Sequence, residues 1–110
     1  MGRTNSILTE RYEKIHIYLS DAVYDDLNNF NLVNKSNAIR EMLKKYADYL
    51  EENGINQDEI KKQKHGNQRE ICMLPTQITK YNNITNMYQF KNLSELIYNA
   101  YLHYKNNISE

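Results

Sequence analysis

The feature that most limits how this chain can fold is an internal repeat. Asn34-Lys35-Ser36-Asn37-Ala38-Ile39 aligns with Asn92-Leu93-Ser94-Glu95-Leu96-Ile97, Tyr46 aligns with Tyr104, and Leu19-Ser20 aligns with Leu74-Pro75. Such a repeat means one supersecondary plan used twice. At 110 residues the chain is one compact domain or two very small ones. A half-chain unit buries too little surface to stand alone, so the copies are expected to complete each other's core.

The first copy opens with a period-two pattern from Tyr12 to Leu19. Ile15, Ile17 and Leu19 fall on one face, and Lys14, His16 and Tyr18 on the other. Ser20 is a capping residue and Asp21 suits the positive end of a helix dipole. Val23, Leu27 and Phe30 then follow at helical spacing, which predicts a helix to about Asn29 and a turn over 29–33. Asn34 caps a second helix with the apolar stripe Ala38, Ile39, Met42, Leu43, Tyr46 and Leu50, and Gly54 terminates it.

The second copy repeats this order. A strand from Arg69 to Leu74 leads into Pro75, a residue suited to a helix start. Ile78, Tyr81, Thr85 and Tyr88 mark a buried helix face. Asn92, with Glu95 three residues on, forms a capping box before the stripe Leu96, Ile97, Ala100, Tyr101 and Tyr104. The organisation predicted is an arm at 1–11, unit one at 12–52, a linker at 53–68 and unit two at 69–107. The arm is basic through Arg3 and Arg11, and the linker carries Lys61, Lys62 and Lys64.

An isolated strand needs a partner, so the two strands are expected to pair. The fold class predicted is mostly α, with a two-stranded antiparallel β-ribbon covered on its inner face by the helices. The outer face of a two-stranded ribbon fits the DNA major groove, where each base pair shows its own donor and acceptor pattern. The net charge of +0 argues against a purely electrostatic nucleic-acid binder but permits a local strip. No nucleophile–base pair, carboxylate pair, phosphate loop or Cys/His cluster is present, so neither an enzyme, a small-molecule substrate, a cofactor nor a metal is expected. Cys72 reads as a small core residue. No apolar run is long enough to span a membrane, and a soluble intracellular protein is expected.

Residues 15–27, from Ile15-His16-Ile17-Tyr18-Leu19-Ser20 to Leu27, followed by Asn34 to Ile39, resemble ribbon-helix-helix repressors of the MetJ/Arc/CopG type. The likeness covers nearly all of residues 12–52 and, more weakly, 69–106. Two units in one chain resemble the tandem ribbon-helix-helix regulators of archaeal viruses. The resemblance implies an intramolecular pseudo-dimer that binds double-stranded promoter or operator DNA in a host cell's cytoplasm and represses or activates transcription. It places base contacts on Lys14, His16 and Tyr18. In the register of the Leu19–Leu74 alignment, the second strand adds Arg69, a guanine reader, with Ile71 and Met73 against thymine methyls, and turns Glu70, Cys72 and Leu74 inward. The resemblance also implies phosphate contacts at Asn34, Lys35 and Ser36, and at Asn92, Leu93 and Ser94, where helix N-termini present free N–H groups. The unlike strands predict unlike half-sites, and exposed tyrosines leave room for self-association on DNA. Two other readings stay open. One is an antitoxin-like protein whose second unit binds a protein partner through the apolar outer face of its strand. The other is a helical interaction module with no nucleic-acid role.

Overall fold

A computed structural model describes residues 11–30 and 34–108. They form β1 (Glu13–Leu19), α1 (Asp21–Asp26), a 3-10 turn at Leu27–Phe30, α2 (Lys35–Asn53) and a second 3-10 turn at Gln57–Glu59. Then come β2 (Asn67–Met73), α3 (Pro75–Met87) and α4 (Leu93–Ile108). The fold is mostly helical, with one two-stranded antiparallel sheet.

The helix starts follow local chemistry. Ser20 Oγ accepts from the Val23 N–H at 3.3 Å, Asn34 Oδ1 from the Asn37 N–H at 2.8 Å, and Asn92 Oδ1 from the Glu95 N–H at 2.9 Å. Each satisfies an N–H that has no partner inside its helix. Leu74 has no such side chain, but Pro75 supplies a preset φ at the first helical position, and Gln77 Oε1 accepts the Leu74 N–H at 2.9 Å. Helix α2 ends at Gly54, whose φ of 66° favours glycine and whose N–H reaches the Leu50 carbonyl at 2.7 Å.

Two predicted boundaries move. Helix α1 stops at Asp26 and tightens into the 3-10 turn, because Asn28 and Asn29 are weak helix formers and Asn29 Nδ2 donates to Asp26 Oδ1 at 2.7 Å. Strand β2 spans Asn67–Met73 instead of residues 69–74. Residues 1–10 of the arm and 31–33 of the predicted turn lie outside the described residues.

The strands pair with Glu13 opposite Met73, Ile15 opposite Ile71, His16 opposite Glu70, Ile17 opposite Arg69 and Leu19 opposite Asn67. Paired residues share a face. Ile17, Leu19, Ile71 and Met73 are buried together with the α2 stripe and with Leu96, Ile97, Ala100 and Tyr101 of α4. Helix α2 packs along α4, and each also touches the strand of the other half: α2 meets β2 and α4 meets β1. The halves therefore share one core.

This pairing corrects the predicted face of β2. Ile71 and Met73 are at most 1% exposed, and Arg69 lies on the same inner side. Glu70 and Cys72, expected inside, belong to the outer face. A one-residue slip in register moves every side chain of a strand to the opposite face.

The segment between α2 and β2 is more than a polar linker. Ile55 and Ile60 pack against the core. The amide of Asn99, itself 5% exposed, clasps Lys61: Oδ1 accepts the Lys61 N–H at 2.8 Å, and Nδ2 donates to the Lys61 carbonyl at 3.0 Å. Gln63 does the same at the ribbon edge. Its Oε1 accepts the Ser20 N–H at 2.8 Å and its Nε2 donates to the Tyr18 carbonyl at 3.0 Å.

Candidate functional site

The outer face of the ribbon carries Lys14, His16 and Tyr18 from β1 and Gln68, Glu70 and Cys72 from β2. Lys14, His16, Tyr18, Gln68 and Glu70 are exposed, and Cys72 is half-buried. Lys14 faces Cys72, His16 faces Glu70 and Tyr18 faces Gln68. His16 Nε2 stands 3.9 Å from Glu70 Oε2 at the middle of the face. The face thus offers an ammonium, an imidazole, a phenol, a primary amide and a carboxylate in two short rows. These groups hydrogen-bond as donors, acceptors or both.

Both edges of the ribbon are held by serines of the predicted phosphate-contact sets. The Tyr18 N–H donates to Ser94 Oγ at 2.9 Å, and the Cys72 N–H donates to Ser36 Oγ at 3.0 Å. An edge strand leaves alternate N–H and C=O groups without a partner. The serines satisfy two of those N–H groups and set the N-terminus of α4 beside β1 and that of α2 beside β2. The matching carbonyls are also met: Gln63 takes Tyr18, and Arg40 Nη1 donates to the Cys72 carbonyl at 2.7 Å.

The remaining phosphate-set residues have local work. Asn34 and Asn92 are caps. Lys35 Nζ donates to Asn28 Oδ1 at 2.9 Å and lies 4.8 Å from the centre of the Tyr24 ring. Leu93 is half-buried against the core. At the start of α4, Glu95 Oε1 accepts the Lys91 N–H at 2.7 Å, so a carboxylate already sits at that helix end.

Arg69 is turned away from the predicted guanine-reading position. Its Nε donates to the Leu19 carbonyl at 3.3 Å, its Nη2 pairs with Asp21 Oδ1, and its guanidinium stacks 4.3 Å from the centre of the Tyr24 ring. A long side chain near a ribbon end can lie on the inner side and still carry its charge outward. The Arg69 hydrogen bond, and then that of Asn67, hold the Asp21 carboxyl below the ordinary range.

Gln68 and Glu70 are the face residues that the predicted register missed. The signal was Pro75. Proline prefers the first position inside a helix, which makes Leu74 the cap and the counterpart of Ser20. Aligning Ser20 with Leu74, in place of Leu19 with Leu74, turns Gln68 and Glu70 outward.

No family model, curated protein or solved structure matches the chain. Among the described residues, no helix is long and apolar enough to cross a membrane.

Proposed function

We propose that the chain is a sequence-specific double-stranded DNA-binding regulator of transcription. In this reading its two strand–helix–helix units form an intramolecular ribbon-helix-helix pseudo-dimer whose outer ribbon face enters the major groove. The observation that carries the reading is the polar, exposed ribbon face flanked on both edges by helix N-termini. A pseudo-two-fold axis through the His16–Glu70 pair relates Lys14 to Gln68, Tyr18 to Cys72 and the Ser36 bond to the Ser94 bond. The same axis exchanges the cap Ser20 with the cap Leu74.

Each outer side chain then has a base partner. Lys14 suits guanine O6 and N7, Gln68 suits adenine N6 and N7, and Glu70 accepts from cytosine N4. His16 and Tyr18 can donate or accept. Lysine is related to glutamine, histidine to glutamate and tyrosine to cysteine, so the two half-sites differ. Backbone N–H groups of the helix starts position the ribbon and carry no sequence information. The antitoxin-like reading rested on an apolar outer face of β2. With Ile71 and Met73 buried, that support is gone.

The test is selection from random duplex DNA, with the Lys14→Ala/His16→Ala/Tyr18→Ala variant in parallel. Wild type is expected to enrich an asymmetric motif and the variant none. Gln68→Ala is expected to relax one position, with a discrimination loss of about 1–3 kcal/mol. Equal enrichment by wild type and the triple variant, or none at low salt, would remove base reading by the ribbon.

A further inference from the structure

A cleft of about 280 Å³ opens beside the outer face at the β1 edge, lined by Tyr18, Lys62, Gln63, Gly66, Lys91 and Glu95 among others. Three elements build it: the strand, the segment between the units, and the approach to α4. We infer that Lys62 and Lys91 form a phosphate clamp for the DNA backbone next to the groove that the ribbon reads. The inference rests on the DNA-binding reading above.

Three observations support it. First, the connecting segment has a fixed place at this edge. Gln63 bonds Tyr18 and Ser20, and Asn99 bonds both backbone groups of Lys61, so Lys62 is flanked on both sides by anchored residues. Gly66 presses the segment onto the strand, since a Cβ there would meet Tyr18 Cβ at 3.0 Å. A preset position lowers the ordering cost of a contact.

Second, Lys62 and Lys91 are exposed and make no ion pair among the described residues. Two cations flanking the ribbon at the start of α2 and along it are engaged otherwise. Lys35 bonds Asn28, and Arg40 bonds the Cys72 carbonyl and lies 4.6 Å from the centre of the Tyr12 ring. Third, the cleft has a reason to need two cations. Glu95 opposes an anion at the start of α4, and two lysines outweigh its single charge. The edge of β1 thus has two exposed lysines where the edge of β2 has a guanidinium bonded to the backbone.

The occupant is a phosphodiester, and the readout is the salt dependence of DNA affinity. Each neutralised phosphate contributes about 0.9 to the slope of log affinity against log salt. Lys62→Ala/Lys91→Ala is expected to lower that slope by about 1, the share of one phosphate, and to weaken all duplexes alike, with the selected motif unchanged. Lys44→Ala/Lys45→Ala removes the same charge from the exposed middle of α2 and is expected to leave the slope near that of wild type. Thermal unfolding of each variant confirms that folding is retained. A wild-type slope in the Lys62/Lys91 variant, or an equal drop in the Lys44/Lys45 variant, overturns the clamp while DNA binding stands. If wild-type protein binds no duplex at low salt, both readings fall together.

Discussion

At one edge of the ribbon, the Tyr18 N–H donates to Ser94 and the Tyr18 carbonyl accepts from Gln63. At the other, the Cys72 N–H donates to Ser36 and the Cys72 carbonyl accepts from Arg40. The caps differ in the same manner: the Ser20 N–H goes to Gln63, and the Leu74 N–H goes to Gln77. The backbone requirement is common to both halves, but only the serine is repeated in the chain. An edge carbonyl near helices needs a donor of suitable reach, and an amide or a guanidinium will serve. The two halves therefore match as backbones and differ as surfaces. Under the proposed DNA-binding reading that difference would set unlike half-sites, because bases are read by side chains and phosphates are met by backbone and cations.

The largest effect is expected in the shared core. Ile39 and Ile97 are matching residues of α2 and α4, and both are fully buried. Ile39→Ala and Ile97→Ala are each expected to cost about 2–5 kcal/mol. Urea unfolding should show one transition in both variants, moved to lower denaturant. Two transitions, only one of them moved, would mean separate cores.

A smaller effect separates the halves through Asp26. Its Oδ2 accepts from the Tyr101 hydroxyl at 2.6 Å and lies 3.2 Å from Lys105 Nζ, which ties α1 to α4. The Tyr101 hydrogen bond, followed by that of Asn29, holds the Asp26 carboxyl down to about 2, from 3.8. A carboxyl lowered by folding stabilises the fold above its unfolded pKa, and the stabilisation is lost as pH falls through the folded value. The contribution is complete above about pH 4 and fades toward pH 2. Asp26→Asn is expected to cost about 1–2 kcal/mol at neutral pH and to flatten the fall in thermal midpoint between those pH values. In α3 the corresponding residue is Lys80, which lies 5.7 Å from the centre of the Tyr81 ring, so the second half lacks this carboxylate tie. An unchanged acid limb in Asp26→Asn would show that the tie contributes nothing.

The serines give the finest comparison. Ser36→Ala leaves a half-buried N–H on Cys72, whereas Ser94→Ala leaves one on the exposed Tyr18, where water can replace the lost acceptor. The expected costs are about 1–2 and about 0.5–1 kcal/mol respectively. Equal losses in urea unfolding would mean that the two edges are equally wet.

Some parts of the site were legible because they rest on local chemistry. The alternation of Ile15, Ile17 and Leu19 with Lys14, His16 and Tyr18 was readable, and the strand pairs and buries as that pattern requires. Ser20, Asn34 and Asn92 cap the helices expected of them. The stripes of α2 and α4 were legible too, since a 3.6-residue period has few alternatives. The anchoring of the connecting segment was not. Asn99 looks like any surface asparagine until its helix meets Lys61, and Gln63 bonds two residues far away in the chain.

Local pattern was enough to define the two strands, the helix starts and the apolar faces that had to meet. Which face of β2 is outside depends on how the strand packs in the folded chain. Ile71-Cys72-Met73-Leu74 is an unbroken apolar run, so alternation within it does not choose a register. Pairing with β1 makes the choice by setting Ile71 beside Ile15 and Met73 under the helices, where they lose their water. That choice puts Gln68 and Glu70 beside Lys14, His16 and Tyr18. Local propensity acts over a few residues, whereas burial depends on what the rest of the chain brings to the other side.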